Sequence, residues 1–384
     1  MKNLILPIFI SICLLNSCGQ KQANIETQQE VYYSSGKYYP QADSVINLTE
    51  SDLPKIEWFT LKKIDIPKGY EDLSAYYLYQ DSILIMVNAF NPKPKPYMLT
   101  VMNYKTKEII AEYFRYGKAN GKLKNLVVKL RENYLYAVDT EKKIVTRLSI
   151  DSILAKGSAY TTKFTPYNSL NLMDYVYTTD STITWANTQY INGFGVETVP
   201  SFVQTNLDGT YLYNYAKNDS INIHFPMERT ITLFNSQYIE FWLNFPAINI
   251  YDSNFNIVKQ YRDTKFNDTE LELDYDHVFE KEIALECFSF GGQTEKSLLV
   301  NNYRASVVLE NGEGHLVYHG DPANGEFHEI WVFDTSCNLV RRLKCRNLKG
   351  QVGALSYCDQ SGNLYMNVFE EYKNKVLYQC VFEK

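Results

Sequence analysis

From residue 51 onward the apolar positions recur with period 2, or in short solid runs, and are broken by Asn, Asp, Gly and Ser. Stretches with a 3.6-residue period are scarce. Period 2 sends alternate side chains to opposite faces of an extended chain, so the pattern predicts strands rather than helices. One strand type returns at Ile83–Val87, Tyr134–Val138, Thr182–Ala186, Tyr238–Trp242, His315–His319 and Asn363–Asn367. The starts are 51, 48, 56, 77 and 48 residues apart. Each copy follows a polar turn such as Gln80-Asp81-Ser82 or Asn235-Ser236-Gln237. These residue types suit hairpins because they tolerate positive φ or bond their own backbone. Two further strands follow, clearest over Ile248–Val258 and Ile330–Val340 and looser over Met98–Ile110 and Phe202–Tyr213.

Each unit therefore has four strands: an inner strand, an apolar second, a third, and a more polar outer strand. Such units repeated radially predict an all-β fold, a six-bladed β-propeller of four-stranded antiparallel blades. The last unit runs out of chain one strand early, after Val376–Phe382, while a spare strand, Ile56–Ile66, precedes the first. The N-terminal strand is expected to complete the sixth blade and close the ring, leaving no long open edge. The propeller should span 51–384, and the interval of 77 implies an insertion near 262–304.

Composition supports this reading and narrows the function. Hydrophobic residues make up 45% of the 384, enough for a large core, and aromatics reach 15%, a bias toward strands. Lys+Arg number 38 against 44 Asp+Glu, a formal charge of −6, so no basic face for nucleic acid is expected. The N-terminus reads as a targeting segment. Lys2 is followed by the uncharged stretch Leu4–Leu15, too short to span about 30 Å of hydrocarbon as a helix. Next comes Leu15-Asn16-Ser17-Cys18, which resembles the box of bacterial lipoproteins. The resemblance implies a signal peptide over 1–17 and lipidation of Cys18. The lipid would hold the chain on the membrane, and the expected location is the cell envelope, at the outer membrane. Residues 18–50, rich in Gln, Ser, Asn and Thr, are expected to form a flexible tether.

The box, the length and the repeats together resemble the TolB-like six-bladed propeller lipoproteins. Phe114-Arg115-Tyr116-Gly117-Lys118-Ala119-Asn120-Gly121 is similar to the glycine-rich passage between their first two blades, with Asn120 and Lys122 departing from the usual Pro and Glu. The resemblance covers the architecture of 51–384 and implies no catalytic residue.

Candidate chemistry is sparse. His315 and His319 share a strand face but lie about 13 Å apart at ~3.3 Å per residue, too far for one metal. His319 and His328 flank a turn, and three converging ligands are not evident, so no metal site and no cofactor is expected. The acidic run Glu270–His277 alternates with Leu271, Leu273 and Tyr275, as a solvated strand face does. Gly291-Gly292 is not followed by the Lys-Ser/Thr of a phosphate loop. Five cysteines beyond Cys18 show no CxxC spacing and read as small core residues, with one disulfide as the alternative.

Arg115, Arg262, Arg304 and Arg346 fall in or beside blade-to-blade connections, with Tyr116 next to the first. Such connections emerge on one side of a propeller. Arg115, Tyr116, Arg262 and Arg346 are accordingly expected on one rim of the channel, suited to an anionic or carbohydrate ligand through charge-assisted bonds and stacking. Two functional classes stay open: a non-catalytic binding module on the envelope for a protein or glycan partner, and a carbohydrate-active propeller enzyme, a hydrolase or lyase.

Overall fold

The computed structural model describes most of residues 42–382, apart from 90–95, 118–121, 140–143, 156–160, 165–171, 178–180, 188–199, 218–228, 243–246, 263–280, 318–327, 347–350, 371–373 and a few single or paired positions. The described chain is nearly all strand. Two strands lead, β1 (Val45–Asn47) and β2 (Ile56–Lys63). Three four-stranded sheets follow. The first holds β3 (Ala75–Tyr79), β4 (Ile83–Val87), β5 (Tyr97–Asn103) and β6 (Ile109–Arg115). The second holds β7 (Leu126–Arg131), β8 (Tyr134–Asp139), β9 (Ile144–Ser149) and β10 (Thr161–Phe164). Helix α1 (Ile150–Leu154) separates its last two strands and is capped by the Ser149 hydroxyl, which accepts from the Ser152 N–H. The third holds β11 (Leu172–Tyr177), β12 (Thr182–Asn187), β13 (Pro200–Asn206) and β14 (Tyr211–Lys217).

The fourth sheet is β15 (Arg229–Phe234), β16 (Gln237–Trp242), β17 (Ala247–Tyr251) and β18 (Ile257–Arg262), extended at its edge by β1. The rest is one large sheet containing two meanders. One runs through β19 (Lys281–Gln293) and β20 (Leu298–Glu310), which also pairs with β21 (Glu313–Val317), to β22 (His328–Phe333) and β23 (Leu339–Cys345). The other is β24 (Gln351–Cys358), β25 (Leu364–Glu370) and β26 (Asn374–Phe382). Strand β2 joins them: Ile56–Phe59 runs parallel to β23, and Phe59–Lys63 runs antiparallel to β26.

Each four-stranded unit is an up-and-down meander, and the units pack face to face, which is the plan of a β-propeller. Second strands lie between two packed faces and are apolar on both, as in Ile83–Val87, where every residue is buried. One apolar cluster joins Tyr357, Tyr365 and Leu377 to the first sheet, and the first sheet to Leu126, Leu130 and Leu135 of the second. Tyr136 and Val145 meet Tyr175 and Trp185 of the third. Phe202 meets Tyr238, Tyr251 and Phe255 of the fourth. Phe241 and Ile250 meet Phe288 and Trp331. Ile330 and Leu343 meet Met366, Cys380 and Phe59.

The outer hairpins share one turn. In Asp252–Asn256 the carboxylate accepts from the N–H of Asn254 (2.8 Å) and Asn256 (2.9 Å). Asp334–Asn338 repeats the bonds from Ser336 and Asn338, each at 2.9 Å. The fourth position takes the left-handed conformation, at Phe255 (φ 62°) and Cys337 (φ 53°). An L-residue there costs about 1–2 kcal/mol. Both side chains are buried between sheets, Phe255 stacked on Tyr238 at 4.5 Å, so packing outweighs the backbone cost.

Three expectations need correction. The fifth recurring strand is not His315–His319: the second strand of that unit is β20, and His315 sits in β21, opposite Val308. Residues 262–304 are accordingly not an insertion throughout, because β19 and the start of β20 are regular ladder strands. The long β19–β20 hairpin overshoots its neighbours, and its apolar-to-polar switch at Asn301-Asn302 hid it from a period-2 reading. Nor is 18–50 a tether to its end. Val45–Asn47 is a strand, because Ile46 has an apolar cluster to pack on. The acidic run 270–277 and His319 lie outside the described residues.

Candidate functional site

The first strands of successive units pack beside one another: β11 against β15, β15 against β19, and β19 against β24. They are the innermost strands, and fourth strands lie at the opposite side of each unit, with β1 and β2 added beyond two of them. An innermost strand has one edge with no strand partner, yet its buried N–H and C=O groups need bonds. Side chains from neighbouring units supply them. The Tyr77 hydroxyl donates to the Val128 carbonyl at 2.7 Å. Asn367 accepts from the Tyr76 N–H and donates to the Tyr76 carbonyl, both at 3.0 Å. The Leu78 N–H donates to the Tyr357 hydroxyl.

Arg131, at the end of β7, reaches furthest. Its guanidinium donates to the Tyr175 carbonyl and, at 3.1 Å, to the Ile231 carbonyl, and it lies 5.4 Å from the Phe290 ring. One side chain thus ties four units together at their inner strands. Gly291-Gly292 serves the same region. At Gly292 (φ +129°) a Cβ would stand 2.6 Å from the Cys358 nitrogen, so only glycine allows β19 to approach β24. Neither Arg131 nor the glycine pair stood out in the sequence as axial residues, because nothing local marks an inner edge.

The residues expected to bind a ligand lie on or just beyond fourth strands. Arg115, Arg262 and Arg346 stand at or just beyond the C-terminal ends of β6, β18 and β23, the fourth strands of three units. Exposed Arg115 donates to the Tyr97 hydroxyl at 3.0 Å and lies 5.1 Å from its ring centre, and Tyr116 beside it is 40% exposed. Arg262 pairs with Asn47 of β1 and accepts through its carbonyl from the Leu48 N–H at 2.8 Å. Arg346 lies 4.9 Å from the Trp58 ring centre, and its N–H donates to the Phe59 carbonyl at 3.0 Å. Two of the three arginines therefore engage the N-terminal segment at the perimeter. Arg304 lies within β20.

Glu329 and four cysteines are tied into the packing between strands. Burial would raise the Glu329 carboxyl, but two Arg342 bonds at 2.8 and 2.9 Å, the Arg342 charge and the Trp331 N–H hold it below its usual range. Burial pushes the Cys337 thiol up to about 11 and the Cys358 thiol up to about 12, which keeps both protonated and weakly nucleophilic at neutral pH. Cys337, Cys345, Cys358 and Cys380 are unbridged. Among the described residues no group of three or more His, Cys, Asp or Glu could hold a metal ion.

No family model and no curated protein matches the chain. Solved structures do. An exported protein of Bacteroides fragilis aligns at 11% identity and a TM-score of 0.46, covering 90% of this chain and 100% of that one. The Pan2 WD40 domain of Neurospora crassa aligns at 10% identity and a TM-score of 0.40, covering 87% and 97%. An oligogalacturonate lyase bound to manganese aligns at 8% identity and a TM-score of 0.39, covering 85% and 98%.

Proposed function

We propose that the chain is a lipid-anchored envelope protein whose meanders form a closed six-bladed ring, and that it binds a protein or glycan partner without catalysing a reaction. Closure is supported by the order of the apolar clusters, which runs from unit to unit and from the last back to the first. The observation that carries the binding reading is Arg131: its donors go to backbone carbonyls of the chain itself, so the inner strands are cross-braced rather than arranged around a reacting group. Recognition then falls to the surface. Arg115 and Tyr116 offer a guanidinium and an exposed ring side by side, while Arg262 and Arg346 serve the N-terminal segment.

Capture from envelope extract with the full chain as bait, alongside a glycan array, tests the reading. Replacing Arg115 or Tyr116 by Ala should weaken the captured interaction about tenfold, as expected for one charge-assisted bond or stacked ring, with the melting temperature unchanged. Turnover of a glycan by the purified chain would overturn the non-catalytic reading. The anchor is tested separately: Cys18→Ala should move the protein from the detergent-extracted membrane fraction to the soluble one, and unchanged partitioning would rule the lipid out.

A further inference from the structure

The N-terminal segment is held very unevenly. Strand β2 has eight residues and two ladders, and it buries Phe59 between two units. It is pinned by Glu57, bonded twice to Arg341 at 2.7 and 2.8 Å, and by Trp58 under Arg346. The bond from Ile64 N–H to the Leu377 carbonyl at 2.9 Å continues the ladder. Strand β1 has three residues, pairs in parallel, and leaves Val45 39% exposed. Parallel pairing is slightly the weaker kind per residue. Flanking that three-residue ladder are the backbone bonds Asp43 N–H to Ile257 O (3.0 Å), Gln260 N–H to Ser44 O (2.8 Å) and Leu48 N–H to Arg262 O (2.8 Å). Ile46 and Leu48 are only partly buried on the cluster between the fourth unit and β19–β23. Pro54 and the turn closed by Asp52 N–H to Thr49 O (3.0 Å) separate the two strands.

We propose that this segment is a two-part strap: β2 is the permanent closing strand, and residues 43–48 are a latch that opens and re-forms while the sheets stay folded. Sub-global opening of this kind is confined to segments with few buried apolar contacts and short ladders, which describes β1 and not β2. An open latch leaves the outer edge of Ile257–Arg262 without β1 alongside it. It also lengthens the chain ahead of β2. Releasing 43–55 adds about 40 Å of reach at ~3.3 Å per residue, so a pull from the N-terminal side meets the latch before it loads the closing strand. The latch does not depend on the binding reading.

Hydrogen exchange on the full chain, followed by mass spectrometry, tests it. Amides of 44–48 and of Gln260 should exchange at least a hundredfold faster than those of 59–63. Ile46→Asp should speed exchange at 44–48 and 257–262 a further tenfold and leave 56–63 and the melting temperature unchanged. Ile46→Ala, a milder change, should shift the same two segments in the same direction. Equal protection of 44–48 and 59–63, or exposure of β2 together with the latch in either variant, would overturn the proposal.

Discussion

At the scale of single residues, buried polar groups mark what the fold needs. Glu329 is 8% and Arg342 3% exposed, and removing either strips the other of two charge-assisted bonds. Removing one partner of a buried pair costs roughly 3–5 kcal/mol, because the remaining charge stays desolvated. Glu329→Gln keeps one acceptor, so it should cost about 2–3 kcal/mol at neutral pH, less than full truncation. The pH dependence has a definite sign. The folded carboxyl titrates below its ordinary value of 4.5. The pair's contribution is therefore full above that value and is lost as pH falls through the folded pKa. Chemical denaturation at pH 7 and pH 4 should show a smaller acid loss for Glu329→Gln than for the parent, and an equal loss would show that the pair does not drive acid sensitivity.

At the scale of elements, the inner strands depend on close approach. Their free edges are bonded by side chains of Tyr77, Asn367, Tyr357 and Arg131, so the strands must sit near enough for single side chains to reach across. Gly292 sets the tightest point. Gly292→Ala adds overpacking of about 1–3 kcal/mol to a positive-φ cost of about 1–2 kcal/mol. The expected loss of roughly 2–5 kcal/mol should appear as a lower urea midpoint with an unchanged m-value. A midpoint within error of the parent would mean that β19 and β24 do not need this contact. The outer hairpins were the easiest elements to read. Asp252-Ser253-Asn254-Phe255-Asn256 and Asp334-Thr335-Ser336-Cys337-Asn338 carry their turn chemistry locally, and both appear where the pattern put them.

At the scale of the whole molecule, the first and last parts of the described chain share a ladder. Val381 and Cys380 of β26 lie opposite Thr60 and Leu61 of β2. A chain lacking 51–66 would present β26 as a bare edge and expose the cluster around Phe59. Calorimetry and light scattering of that variant should show a broad melt and aggregation; a parent-like cooperative transition would remove closure from the account.

The strand periodicity, the turn residues and the apolar second strands are local properties, and they alone define an all-β chain of repeated meanders. The same holds for the expectation that Ile56–Ile66 would meet the end of the chain, because a unit one strand short can be counted in the sequence. Three things needed the tertiary structure. The register of the long β19–β20 hairpin depends on which residues of a strand find a partner sheet. The roles of Arg262 and Arg346 depend on where β1 and β2 pair alongside β18 and β23. The role of Arg131 depends on carbonyls 44 and 100 residues away, at Tyr175 and Ile231. Sequence encodes which groups must be satisfied, whereas packing between distant units decides which partners satisfy them.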